Sequence, residues 1–135
     1  MSLRYLRIYN TLVGLCDAST GLLLMAAPEF TLMLMGISEI PDELVYLRFI
    51  GAFVFSVGAA YWLPFLHQES ISQFVAHSKV VWMLTSIVRL VVCLFVSFQI
   101  ITAHLSFPWI SVALTDGLLA LLQIVYLRRL RDSDV

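Results

Sequence analysis

Charged residues are scarce in this sequence. Lysine and arginine together number 8 and aspartate and glutamate 9, so that 13% of the 135 residues are charged. An ordinary soluble domain has about a quarter charged residues and is about half apolar. This chain is 61% hydrophobic and has a mean hydropathy of +0.94. A soluble domain of this length could not bury that much apolar surface, so the composition favours a membrane protein over a buried soluble bundle.

Basic clusters, cysteine pairs and catalytic motifs are also missing. The net charge is -1, and no run of lysine or arginine with interleaved aromatic residues occurs, which argues against nucleic-acid binding. Cys16 and Cys93 have neither the CxxC spacing of a redox site nor the paired spacing of a zinc site, so we interpret both as small packing residues. GxSxG, Walker and HExxH patterns do not occur. The sequence therefore predicts no metal site and specifies no reaction or cofactor.

Four apolar stretches stand out, each long enough to supply the roughly 20 helical residues that cross a hydrocarbon core. They cover residues 5–27, 44–66, 79–103 and 108–127. No low-complexity segment or linker separates them. The sequence therefore predicts an all-α fold, in which residues 1–135 form a single domain, an integral membrane antiparallel four-helix bundle.

The first stretch has a second interpretation. Arg4 and Arg7, followed by an apolar run and MAAPEF, are also typical of a cleaved signal peptide. Against this, Asn10 and Asp17 interrupt the apolar run, which is longer than a typical signal core. We therefore interpret the stretch as the first membrane helix.

Basic residues mark the cytoplasmic side of a membrane protein, and here they group on one side of the predicted spans. They precede span one, open span three and follow span four: Arg4, Arg7, Lys79, Arg128, Arg129 and Arg131. The opposite loops are acidic or uncharged, and the second of them, HLSFP, is so short that spans three and four must be antiparallel neighbours. We predict that both termini lie in the cytoplasm.

The loop after span one contains a short helix of its own. PEFTLMLMG begins with Pro28, a residue suited to the first helical position, and ends at Gly36, a natural C-cap. The apolar residues between them predict a helix that lies in the membrane interface.

Small residues predict where the helices approach one another, because membrane helices associate through close backbone contact. They recur in three of the spans: Gly14, Ala18 and Gly21 in span one, Ala52, Ser56 and Ala60 in span two with Gly51 and Gly58 nearby, and Ala113 and Gly117 in span four. The span-two face would serve either an internal contact or a homo-oligomer.

Arg89 lies near the middle of span three. An arginine at that depth costs about 2.5 to 3.5 kcal/mol on insertion scales and normally faces the protein interior with a partner. Asp17 in span one and Asp116 in span four are the only carboxylates deep inside any span. With a rise of about 1.5 Å per residue, all three charges lie about 15 to 18 Å from the cytoplasmic ends. We predict that Arg89 pairs with Asp116, with Asp17 or with both.

Helical periodicity places these charges on polar or small-residue stripes. The stripes are Asn10, Gly14, Asp17 and Gly21 in span one, Trp82, Ser86, Arg89, Cys93 and Val96 in span three, and Asp116 and Gln123 in span four. Asn10 and Gln123, about 6 to 8 Å from the cytoplasmic end, form a second polar layer. The predicted ligand or proton site is therefore Asp17, Arg89 and Asp116, bordered by Asn10, Trp82 and Gln123. The alternative is an ion-pair network that only fixes which helices are neighbours.

The order of these features resembles the small bacterial four-helix membrane proteins of the DoxX-like group. The residues concerned are GLLLMAAPEFTLMLMGI after span one, YLRFIGAFVFSVGAAYWLP in span two, TSIVRLVVCLFV in span three and TDGLLALLQIVYLRR in span four. The resemblance implies a bacterial inner membrane and a link to quinone-dependent or thiol-linked oxidation complexes, although the missing cysteine pair counts against a thiol role. A second similarity is to four-helix sterol-binding and sterol-isomerising membrane proteins, in which acidic residues inside the bundle face an apolar ligand.

Three functions are compatible with these residues. The first is binding of a small apolar molecule with one polar group, such as a quinone, a sterol-like lipid or a fatty molecule, either alone or as a subunit of a membrane oxidoreductase. Arg89 would orient the polar group, Asp116 would anchor Arg89, and Asp17 would carry a proton. The second is a proton-coupled carrier or channel subunit, which a fixed arginine beside a carboxylate disfavours because it keeps the carboxylate ionised. The third is a structural subunit of a larger membrane complex.

Overall fold

The computed structural model describes residues 3–66 and 70–133, with side chains to residue 129. Every regular element in these ranges is helical. In chain order they are α1 (Leu3–Ala26), α2 (Pro28–Leu34), α3 (Leu44–Ala60), α4 (Leu63–Leu66), α5 (Ile71–Ile101), a 3-10 turn (Phe107–Trp109) and α6 (Ile110–Ser133). The prediction of an all-α fold is confirmed.

Three helical segments in the described residues are long and apolar enough to cross a membrane. They are Leu3–Ala26, Ile71–Ile101 and Phe107–Arg129, whereas α3 is apolar but shorter, with 17 residues. Large apolar side chains point outwards along these helices, among them Phe49, Val91, Phe98 and Leu118. A protein in water rarely exposes so much contiguous apolar surface, so these helices indicate a membrane protein.

The short helix after α1 is confirmed. It begins at Pro28, whose missing N–H is not needed in a first turn, and ends at Leu34. Gly36 follows with a φ of 76°, the left-handed conformation that glycine adopts without a steric penalty at a helix end. The position of α2 in a membrane interface stays a prediction.

The second predicted span is divided in the structure. α3 ends at Ala60, and the N–H groups of Tyr61 and Trp62 bond to carbonyls three residues back, at 3.2 and 3.0 Å, so the last turn tightens. Pro64 explains the break, because its ring has no N–H to donate and would clash with the carbonyl four residues earlier, at Ala60. The chain resumes as the single turn of α4.

α5 begins at Ile71 rather than at residue 79, the predicted start of span three. The reason is packing at its first turn, where the buried Phe74 lies edge-on to Phe65 at 5.0 Å between ring centroids. The guanidinium of Arg7 lies over the Phe74 ring, 5.3 Å from its centroid. These contacts stabilise helical turns in a segment that is too polar to be recognised as part of a span.

By its contacts the chain divides into two compact units. The described residues of 1–34 and 38–81 form the first, and those of 35–37 and 82–135 form the second. In the first unit α1 and α3 run antiparallel, with Gly14 against Gly58 and Gly21 against Gly51. A Cβ at Gly21 would lie 2.6 Å from the Gly51 carbonyl oxygen, so the two backbones are in direct contact.

The small-residue face predicted for span one is therefore confirmed. In span two the neighbouring glycines make the internal contact, and a homo-oligomer contact through Ala52, Ser56 and Ala60 stays a prediction. Gly51, Phe55 and Gly58 meet α1, whereas Ala52 and Ser56 are exposed. Small side chains at four-residue spacing allow two helices to approach, but Gly51 and Gly58 have no side chain and allow a closer approach, so the contact with α1 forms there.

In the second unit, the part of α5 from Trp82 onwards pairs with α6. Trp82 contacts Tyr126, with ring centroids 5.1 Å apart, and Cys93 Sγ lies 3.0 Å from where a Cβ on Gly117 would be. Residue numbers fall along α5 as they rise along α6, so the two helices are antiparallel, as the short HLSFP loop predicted. This helix pair holds two of the three charged residues of the candidate site, Arg89 and Asp116.

Candidate functional site

Arg89 and Asp116 form an ion pair between α5 and α6. Nη1 of Arg89 donates a hydrogen bond to Oδ1 of Asp116, at 2.5 Å. Both lie in the middle third of long apolar segments, Ile71–Ile101 and Phe107–Arg129. The predicted pairing of Arg89 with Asp116 is confirmed.

The two partners differ in exposure. The Arg89 side chain is 5% exposed and that of Asp116 is 18% exposed. The Arg89 side chain is therefore enclosed by the protein, while part of the Asp116 side chain can be reached from outside. Arginine has only N–H donors and an ionised aspartate only acceptors, so the reachable part of this pair is an acceptor.

Helical periodicity accounts for the position of Arg89. Trp82, Ser86, Arg89 and Val96 are buried on one stripe of α5 and Cys93 is half-buried, which confirms the stripe predicted for span three. Ser86 Oγ donates to the Met83 carbonyl at 2.9 Å, so its hydroxyl is satisfied within its own helix. The facing stripe of α6 is small, since Ala113 and Ala120 are buried on either side of Asp116.

A second polar contact lies about two turns away along α6. Gln123 is fully buried, and its Nε2 donates to Oγ1 of Thr85 at 3.1 Å. Thr85 Oγ1 in turn is 3.5 Å from the Trp82 carbonyl. The predicted site residues Trp82 and Gln123 are thus brought together with Arg89 and Asp116 in the second unit.

Thr85 was not anticipated as a site residue. The signal was weak, because Thr85 lies about 6 Å from Arg89 along α5 and Gln123 about 10.5 Å from Asp116 along α6, a difference that the long Gln123 side chain has to span. Threonine is common in membrane helices and usually bonds to its own backbone. Its role can therefore be recognised only once the register of the two helices is known.

Asn10 and Asp17 belong to the first unit. Asn10 is fully buried, and its Nδ2 donates to Oγ of Ser78 at 3.0 Å, another hydroxyl partner that was not predicted. Asp17 is half-buried beside α3, with its Cβ 2.9 Å from the position of a Cβ on Gly58. The pairing of Asp17 with Arg89, and a layer shared by Asn10 and Gln123, stay predictions.

The Gln123–Thr85 hydrogen bond can be tested by replacing one threonine with valine on α5 and, as a control, one on α6. Thr85→Val removes the acceptor and is expected to lower the free energy of unfolding by about 0.6 to 1.7 kcal/mol, the range measured for side-chain hydrogen bonds between membrane helices. Thr115→Val is the control, because Thr115 is exposed and bonds only to the Ser111 carbonyl of its own helix. Denaturant titration in mild detergent measures both. Equal effects of the two substitutions would contradict the assigned contact.

The helix pair offers groups that could recognise a polar ligand. Arg89 supplies donors, Asp116 supplies an acceptor, and Ser86 bonds to a backbone carbonyl rather than to a base that could activate it. Among the described residues, no group of three or more histidine, cysteine, aspartate or glutamate side chains could hold a metal ion.

Comparisons with protein-family models, with curated proteins and with solved structures found no match to this chain.

Proposed function

We propose that this membrane protein binds a small apolar molecule that carries one polar group, and that the Arg89–Asp116 pair holds that group. The observation that carries the proposal is an ion pair near the middle of two long apolar helices, in which the Asp116 side chain is still 18% exposed. Ionisable residues at this depth are rare, because they are costly, and they generally mark a pathway or a site.

The neighbouring residues suit an amphipathic ligand. Arg89 fixes the carboxylate in position, Gln123 and Thr85 add a second polar contact, and the Trp82–Tyr126 pair provides aromatic surface at the same end of the helix pair. A small number of placed polar groups within an apolar lining is the usual composition of a small-molecule site. Quinones, sterol-like lipids and fatty molecules all have this character.

We further propose that the chain crosses the membrane four times, with α3 and residues 61–66 as the second span and α2 in the interface. Support comes from the apolar composition of α3 and from its exposed side chains, such as Phe49 and Phe53. The basic residues that flank the spans favour cytoplasmic termini. The resemblance to the DoxX-like group suggests the bacterial plasma membrane and a role as a subunit of a quinone-dependent oxidoreductase.

The experiment that tests ligand binding compares the gently solubilised wild type with Arg89→Leu and Asp116→Asn. Native mass spectrometry, an organic extract and an absorption spectrum are measured for each. We expect a bound small molecule in the wild type and at least a tenfold lower occupancy in both variants. Arg48→Leu is the control, since it removes an exposed arginine from α3 and is expected to keep the ligand.

Helix content from circular dichroism and elution on gel filtration establish that the variants are folded. An empty wild type, with Arg89→Leu and Asp116→Asn merely less stable, would contradict the proposal. The ion pair would then serve only to hold α5 against α6.

A further inference from the structure

Asp116 uses only one of its two carboxylate oxygens. Oδ1 accepts the hydrogen bond from Nη1 of Arg89, and no described residue donates a hydrogen bond to Oδ2. A carboxylate has about four lone-pair sites, so one bond leaves most of its accepting capacity unused. The Asp116 side chain as a whole is 18% exposed, so a molecule from outside the chain can reach it.

The surroundings of Asp116 make an unused oxygen costly. Asp116 lies within the apolar segment Phe107–Arg129, where exposed leucines occur along α6: Leu114, Leu118, Leu121 and Leu122. Water is scarce at such a depth in a bilayer, and a polar atom left without a hydrogen bond there is penalised. A donor from a bound molecule would remove that penalty.

The more exposed residue of the Arg89–Asp116 pair determines whether the ligand must donate or accept a hydrogen bond. If Arg89 were exposed, the site would select an acceptor such as a carbonyl, but Arg89 is only 5% exposed while Asp116 is 18% exposed. A ligand that arrives from the bilayer therefore meets an acceptor first and must supply a donor. A neutral hydroxyl is such a donor and remains soluble in hydrocarbon, whereas an ammonium group would itself be costly to bury.

We infer that the ligand is an alcohol with an apolar body, and that its hydroxyl donates a hydrogen bond to Oδ2 of Asp116. This inference rests on the proposed function and specifies the ligand class for the same site. Hydroxyl-to-carboxylate hydrogen bonds are charge-assisted and about twice as strong as neutral ones, and the bond would add selectivity for alcohols over ketones and ethers. Arg89 acts as a positioning residue, because its Nη1 hydrogen bond to Oδ1 orients the carboxylate.

Pairs of probes that share an apolar body but differ in the hydroxyl group measure the contribution of the hydroxyl to binding. The full chain in mild detergent is titrated with 1-hexadecanol and with hexadecyl methyl ether, and separately with cholesterol and cholesteryl methyl ether, with bound fractions read by native mass spectrometry. Within at least one pair, the alcohol is expected to bind about tenfold or more tightly than the ether, because a hydrogen bond to a charged group contributes that much to affinity. Wild-type protein alone decides this outcome, so it does not depend on a variant folding.

Variants then locate the preference. Asp116→Asn replaces the carboxylate by an amide with its own donors and is expected to reduce the preference for the alcohol to less than threefold. Thr115→Val, at the adjacent exposed position, is expected to leave it unchanged. A preference that survives in Asp116→Asn would overturn the assignment of the hydroxyl to this carboxylate.

Different results would contradict the alcohol assignment and the ligand site itself. Equal binding of alcohol and ether, or tighter binding of 2-heptadecanone than of 1-hexadecanol, with loss of both in Arg89→Leu, would overturn the hydroxyl assignment and leave a ligand site in place. If no probe binds and the organic extract of the wild type is empty, both the ligand class and the site are wrong.

Discussion

Arg89→Leu is expected to lower the free energy of unfolding by about 3 to 5 kcal/mol, and the double variant Arg89→Leu/Asp116→Leu to recover most of that loss. The single substitution leaves the Asp116 carboxylate between two apolar helices without the guanidinium that bonds to its Oδ1. The double substitution removes both charges and fills the same space with leucine. Replacing a buried ion pair by apolar residues is often neutral or stabilising, whereas removing one partner is not.

Unfolding in detergent with increasing denaturant, followed by circular dichroism, measures the wild type, both single variants and the double variant. Arg48→Leu serves as the control for loss of a positive charge, because Arg48 is exposed near the start of α3. If the double variant were as unstable as Arg89→Leu, the pair would not be the source of the cost. If the double variant is stable but carries no ligand, the charges serve binding rather than folding.

Gly21→Val is expected to be at least as damaging, with a loss of about 3 kcal/mol or more or no folded protein at all. A Cβ at Gly21 would come within 2.6 Å of the Gly51 carbonyl oxygen, and its other nearest neighbours are the backbone atoms of Phe55. Overpacking usually costs about 1 to 3 kcal/mol because side chains can move aside, but here the obstacle is the backbone of α3. α1 and α3 would have to separate along their whole contact.

Ala52→Val is the control for Gly21→Val, since it places the same side chain at an exposed position on α3. Its expected effect on stability is within about 0.5 kcal/mol of zero. Yield of folded protein on gel filtration and the midpoint of thermal unfolding are compared for the two. Similar behaviour of Gly21→Val and Ala52→Val would show that the close approach of α1 and α3 is wrong.

The parts of the fold that the sequence predicted are those with a strong local or energetic cause. Pro28 and Gly36 delimit α2 because a proline without an N–H and a glycine with positive φ suit opposite ends of a helix. Depth alone reduced the possible partners of Arg89 to Asp17 and Asp116, since a charge in hydrocarbon needs a partner and few carboxylates lie at its height. In each case one physical requirement excludes most alternatives.

Features that depend on register or on close packing could not be predicted in the same way. Ala52 and Ser56 have the spacing of a contact face, but the closer approach allowed by Gly51 and Gly58 decides which face of α3 is used. Ser78 and Thr85 became partners of Asn10 and Gln123 only once the helices were aligned. The early start of α5 depends on tertiary contacts of Phe74, which the local sequence does not encode.

The ribosome makes Arg89 before it makes Asp116. The two residues are 27 positions apart in the chain, an interval of about 1 to 5 s at typical rates of synthesis. During that time α5 carries a guanidinium whose acidic partner on α6 does not yet exist, and its transfer into the bilayer is penalised accordingly. The ion pair therefore favours delayed, joint insertion of α5 and α6 as a hairpin over insertion of α5 by itself.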